Sequence, residues 1–301
     1  MTRPEPFNDL PVSATVRRRW INQFLGVSEK YDKIIKLILL QGAEDARNKL
    51  IALDFEKSFS SGVRAAQVRL AMNEMRIIHA QIFGDMIPVI RDGHKEAAGI
   101  ASDGLSTIDK RYLEAIFVTK ANAADFVESQ KRMAQAGVAS AISRVTKSDK
   151  PLSARVYRSR SLANQWVQRL VTSSILRGDS SRDLATAVTG HILPNTPGGT
   201  SYAAMRLGRT ELNNAFHATA ITQAEDRPWI DSMEWNLSST HKTQKCKCEL
   251  YRQVRFFPIG NVPEKPHPQC RCFVTPVLEP FDTFLMKYQA GYYRDWTTEV
   301  A

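Results

Sequence analysis

All four cysteines of this 301-residue chain fall between Cys246 and Cys272, as two Cys-x-Cys pairs, and the second pair is preceded by Pro266-His267-Pro-Gln. Thiolates and imidazoles are the donors that zinc prefers, four of them in a tetrahedron, and two close pairs on separate turns supply such a set at modest loop-closure cost. Counting His267, five candidates compete for four positions: Cys246, Cys248, His267, Cys270 and Cys272. One cysteine can therefore point away while His267 takes its place. A structural zinc ion is the expected cofactor, against reduced thiols packed in a small core or disulfides formed in an oxidising medium. Lys245, Lys247 and Arg271 stand beside the sulfurs in sequence; a neighbouring cation lowers a thiol pKa, which favours ligation and oxidation alike.

Other chemistries leave no trace. The zinc-deaminase pattern (His-x-Glu with Pro-Cys-x-x-Cys), the zinc-protease His-Glu-x-x-His, the phosphate-cradling Gly-x-x-x-x-Gly-Lys and the dinucleotide Gly-x-Gly-x-x-Gly are all absent. A catalytic zinc also needs an open position and a nearby base. No catalytic residue is assigned, and the chain is expected not to be an enzyme. Two polar groupings remain. Arg206, Thr210, Asn213 and His217 recur at helical spacing with Arg209 and Glu211 close by; they read either as a binding row or as arginines paired within their own domain beside an exposed His217. Between residues 151 and 199, Arg155, Arg158, Arg160, Arg169, Arg177 and Arg182 face only Asp179 and Asp183. That run reads as a basic stripe for phosphates or an acidic protein surface, or as a solvated helix face.

The elements that position these groups are mostly helices. Val27, Tyr31, Ile34, Ile38, Leu50 and Leu53 recur with a helical period over 27–55, and Val68, Met72, Met75, Ile78 and Ile82 do so from Gly62 until Pro88 ends or kinks the helix. Helical material is expected over 107–146 and a break at Ser148-Asp-Lys-Pro151. A further helix then carries Leu162, Trp166 and Leu170 on one face. Gly178-Asp-Ser-Ser stops it and caps a short helix at 183–189. After the loop 191–200, a helix to about Glu225 places Met205, Leu212, Phe216 and Thr219 on one side. Short strands are expected at 232–237, 253–257 and 272–277. The fold class is α+β: a mainly helical N-terminal body with long helices and a small C-terminal α+β module with a Cys/His cluster. The expected domains are 1–179, a helical docking region; 180–280, the α+β domain; and 281–301, an aromatic tail that folds back on its own domain or docks into a partner.

Composition fits this reading. With 43% apolar and 24% charged residues, the chain is neither collagen, nor low-complexity, nor a disulfide miniprotein, and its length suits two cores. The longest apolar stretch, Ile34–Leu40, is interrupted by Lys36, well short of the roughly 20 residues of a membrane span. Met1-Thr-Arg-Pro-Glu-Pro offers no apolar segment for secretion. The chain is read as soluble, with no membrane partner. Its formal charge of +10 suits a partner rich in phosphate.

Arg206-Leu-Gly-Arg-Thr-Glu211, Asn213-Asn-Ala-Phe, Trp235, the first Cys pair and His267-Pro-Gln-Cys-Arg-Cys272 followed by Thr-Pro-Val together resemble the C-terminal domain of the phage Mu F-like head morphogenesis, or minor capsid, family. The likeness covers about residues 180–278, and His-Pro-x-Cys-Arg-Cys is its most specific element. The Cys246-Lys-Cys248 pair is narrower than the family's usual first pair. The resemblance implies a virion protein at the head interior or portal vertex, assembled in the host cytoplasm. Its implied partners are the portal and major capsid proteins and, in the head, packaged DNA; its implied roles are assembly, DNA packaging or ejection. The alternative is a zinc-stabilised nucleic-acid-binding protein using Arg155, Arg158, Arg160 and Arg169.

Overall fold

The computed structural model describes residues 14–55, 60–108, 110, 112, 114, 152–194, 198–239, 241 and 246–294. Among them the order is α1 (Ala14–Ala52), α2 (Ser61–Ile108), α3 (Leu152–Arg177), α4 (Ser181–Ile192), α5 (Thr200–Glu225), β1 (Ile230–Asn236), α6 (Lys247–Val254), β2 (Phe256–Pro258), β3 (Phe273–Leu278) and α7 (Phe281–Gln289). A mainly helical chain with a small C-terminal α+β module is thus what forms. The helix expected beyond residue 114, the break at Ser148–Pro151, Lys245 and Trp296 lie outside the described residues.

The chain divides into two compact units: Met1–Val27, His94–Ser148 and Leu212–Ala301 make one, and Ser28–Gly93 with Asp149–Glu211 make the other. α1, α2 and α5 each give residues to both. The boundary expected after residue 179 falls inside the second unit, where α3 and α4 share a core through Val171, Ile175, Leu184 and Val188. Gly178 marks the end of a helix, not of a domain. It takes a positive φ of 80°, and the amides of Gly178 and Asp179 return to the carbonyls of Ile175 and Ser174, the paired bonds that close a helix on glycine. Ser180 and Asp183 then cap α4 reciprocally.

In the second unit the buried stripe of α1 runs through Ile35 and Leu39, one residue on from the Ile34 and Ile38 of the sequence reading. α3 differs in the same sense. Its buried face is Val156, Ala163, Val167, Val171 and Ile175, so small and branched residues pack inward while Leu162 and Trp166 lie at the margin. On α2, Met72, Met75, Ile78 and Ile82 are core as expected, but the helix does not end at Pro88. It continues to Ile108 with Pro88 inside it; Pro88 is exposed, so the carbonyl left without its amide faces water, while Met86 and Ile90 anchor the helix on both sides. Gly208 brings α5 against α1, since a Cβ there would stand 2.3 Å from Ile35 Cδ1.

Three polar pairings tie this unit together internally. Arg209 holds Asp32 through Nε and Nη2 at 2.8–3.0 Å, and Arg155 Nη2 donates to the buried Glu211 at 2.7 Å. His79 is fully buried between Asn164 Oδ1, 2.6 Å from Nδ1, and Thr200 Oγ1, 3.0 Å from Nε2. Burial pushes its pKa down to about 4, against the hydrogen bond to Asn164, so the neutral ring is the folded form.

The first unit centres on Trp20, Phe24, Phe216, Trp229, Met233 and Trp235. β1 is the middle strand of a three-stranded antiparallel sheet, order β2-β1-β3. Pro276 sits in β3 opposite Met233, where an edge strand tolerates the missing amide. Residues 253–255, expected to be strand, are instead the end of α6 and its C-cap, and only Phe256–Pro258 pairs with β1. Polar, helix-favouring residues after a capping Cys246 decide that outcome. The described part of the aromatic tail folds back on its own unit: Phe284 and Tyr293 stack at 5.3 Å and both meet Trp229 edge-on. Buried Glu279 fastens it, accepting from Tyr293 Oη and from Lys287 Nζ at 2.6 Å.

Two tests follow from this packing. A Cβ on Gly104 would stand 2.0 Å from Trp20 Nε1, the atom that donates to Ile100 O at 2.7 Å. Gly104→Ala should therefore cost about 1–3 kcal/mol, read as a lower urea midpoint by tryptophan fluorescence; an unchanged midpoint would deny the contact. His79, depressed when folded, stabilises the protein fully above its unfolded pKa of about 6.5 and loses that contribution as pH falls toward 4. The loss amounts to roughly 3 kcal/mol by pH 4. The urea midpoint should fall across this window in the native chain and fall less in His79→Gln.

Candidate metal centre

The sheet gathers three chain segments at one end. β1 finishes at Asn236, paired with Phe273 at the start of β3, so Cys272 stands beside the segment that leaves β1 toward His241. On the other side of β1, β2 begins opposite Glu234 and is fed directly by α6, whose first turn carries Cys246 and Cys248. Cys246 is the N-cap of α6, its Sγ accepting from the Cys248 amide at 3.4 Å. A Cys-x-Cys pair at a helix start places both sulfurs near the positive end of the helix dipole, which favours thiolates.

The floor is aromatic. Trp235 is fully buried and meets Tyr251 edge-on at 4.9 Å and His217 at 5.8 Å. His217 Nε2–H donates to Pro263 O at 3.0 Å, holding the loop that carries Lys265 and His267. His217 is buried, not exposed as one reading of the α5 polar row had it. Burial, with the charge on Lys265, pushes its pKa down to about 3, so it acts as a neutral donor. Arg255 closes α6 at a positive φ of 67°, and its Nε donates to Glu234 Oε1 at 2.8 Å. Arg17 reaches the same carboxylate at 3.2 Å.

Five sequence-assigned donors converge. Cys248 Sγ lies 3.5 Å from Cys270 Sγ and 3.7 Å from His267 Nε2. Cys246, Cys248 and His267 have donor atoms all within 4.8 Å of one another. A tetrahedral ion with metal–sulfur bonds of about 2.3 Å and metal–nitrogen bonds of about 2.0 Å sets edges of about 3.8 Å between sulfurs and about 3.5 Å between sulfur and nitrogen. The observed separations fit such edges.

A sixth donor was not assigned from sequence. His241 Nδ1 lies 3.8 Å from Cys272 Sγ, and His241, Cys248 and Cys272 form a second group within 4.8 Å. Glu249 Oε1 stands 3.0 Å from its other nitrogen, so a carboxylate lies behind this histidine, the placement that second-shell carboxylates take in metal sites. The available signal was a histidine five residues before Cys246 in a polar stretch.

Charge shows what an ion would change at these sulfurs. Hydrogen bonds from Cys248 and Cys270 push the Cys272 thiol down to about 2, so one proton leaves readily. The bonds to Cys270 and Cys272, then burial, push Cys248 well up, because a second negative charge would sit within 4.8 Å of the first. Lys265 supplies one compensating charge, donating to Cys272 O. The sequence reading placed Lys245, Lys247 and Arg271 beside the sulfurs; Lys247 is exposed, Lys245 lies outside the described residues, and Lys265 was not assigned. A divalent ion held here would displace the remaining protons.

The arginine group is divided between internal and exposed positions. Arg155 is engaged with Glu211, Arg160 covers the Tyr157 ring at 5.1 Å, and Arg158 and Arg169 are exposed. Comparison of the chain with protein-family models, curated proteins and solved structures finds no match.

Cys248→Ser removes the donor common to both groups and should abolish metal retention on gel filtration under reducing conditions. A chelator should lower the thermal midpoint of the native chain and leave this variant unmoved; an equal chelator response from both would remove Cys248 from the centre.

Proposed function

We propose that the cluster binds zinc and that the chain is a minor head protein of a tailed phage, bound to the portal or inner capsid and acting in assembly, DNA packaging or ejection. The carrying observation is the convergence of the His267-Pro-Gln-Cys-Arg-Cys272 element on Cys248 at 3.5 and 3.7 Å. Residues whose order resembles the Mu F-like signature thereby make one ordered centre. Zinc is favoured because thiolates outnumber imidazoles and the separations match its tetrahedron.

A donor set filled entirely from the chain, with no open position to hold a substrate, supports a structural ion over a catalytic one. Helices of 39 and 48 residues and a net charge of +10 suit a protein working among shell subunits and packaged DNA. The nucleic-acid-binding alternative loses Arg155 to an internal ion pair and keeps Arg158 and Arg169.

Co-expression with the portal and major capsid proteins of the same phage, followed by gradient sedimentation, is the direct test. The full chain should travel with portal-containing particles at physiological salt. Recovery only in the free fraction overturns the assembly role, and tight DNA binding that weakens steeply with salt, without particle association, selects the alternative.

A further inference from the structure

One tetrahedral ion has four positions, and this centre offers six donors. Five of them fall into two groups, each of two sulfurs and one imidazole: His241 with Cys248 and Cys272, and His267 with Cys246 and Cys248. The groups share only Cys248. Each contains one histidine and one cysteine that the other lacks, and each is one donor short of a tetrahedron. The remaining donor, Cys270, lies 3.5 Å from the shared sulfur. Where two tetrahedra share an edge, the two bridging sulfurs lie closer than the roughly 3.8 Å of an isolated tetrahedron, because each angle at the metal across the shared edge closes. The 3.5 Å between Cys248 and Cys270 is the length such an edge would have.

We infer that the centre is built for two zinc ions, bridged by Cys248 and Cys270, with His241 and Cys272 completing one ion and Cys246 and His267 the other. The inference rests on the zinc reading above and is independent of any role in phage heads. It accounts for every cysteine of the chain and for His241, which a single-ion site leaves partly unused. It also makes the two positions unequal. Cys272 is buried and His241 is backed by Glu249 at 3.0 Å, whereas His267 is exposed and Cys246 half-buried. The outer ion, held by the two donors nearest solvent, should exchange first.

The full chain, expressed with zinc and purified under reducing conditions, should carry two zinc ions by elemental analysis. A weak chelator should remove them in two phases. Cadmium exchanged into the same protein should give two NMR resonances coupled to each other through the shared sulfurs. Cys246→Ser with His267→Ala should retain one ion and the helical circular dichroism of the native chain; if that variant does not fold, stoichiometry and cadmium coupling in the native chain decide. One zinc per chain with a single cadmium resonance overturns the two-ion centre and leaves the zinc reading standing. No zinc overturns both.

Discussion

Sulfur crowding around Cys248 is the constraint on which the C-terminal module depends. Its Sγ stands at contact distance from a thiol and an imidazole drawn from a turn about twenty residues away. Such a group cannot ionise without a counter-charge and gains little by staying protonated, since thiols are weak hydrogen-bonding partners. A bound ion would convert this liability into cohesion, its binding free energy becoming folding free energy for the turns that supply the donors.

The surroundings fit that division of labour. β2 has three residues and β3 six, too little sheet to be stable without packing partners. Two things hold it: the Trp235 seat with Tyr251 and Phe257 beside it, and the Trp229 seat where Phe284 and Tyr293 return. One lies toward the ligand end and the other toward the chain's C-terminal turns, so the centre fixes one end of a sheet whose other end is closed by aromatics. Glu234 and Glu279 do the corresponding polar work, each a buried carboxylate with more than one donor.

Element types and most of the Cys/His cluster were legible in the sequence because they rest on local rules. Period, capping and ligand spacing all act within a few residues, and Ser180 with Asp183, Met72 with Met75, and His267 with Cys270 stand as read. What failed to be legible depends on packing. The inward face of α3 is set by how closely its neighbours approach, which selects Ala163 and Val167 over Leu162 and Trp166. Pro88 passes through a helix because that side faces water. His241 joins the centre only once β1 and β3 have paired, and His217 is buried only once the Pro263 loop has closed over α5.

The interleaved units carry the same lesson one level higher. Turn chemistry at Gly178 and in the loop after Ile192 marks where helices stop, yet packing divides the chain elsewhere, partway along α1, α2 and α5. A helix gains most of its stability from the apolar face it buries, not from its own residues' propensity. Residues 14–27 of α1 owe that to the core of Phe216 and Trp235, and residues 28–52 to the core of Met75 and Val171. Cutting at residue 179 would therefore take Trp20 and Phe24 from the metal-bearing unit as well as α1 and α2 from the other. Only a chain kept whole retains both cores, and any account of its partners has to start from exposed side chains rather than from truncation.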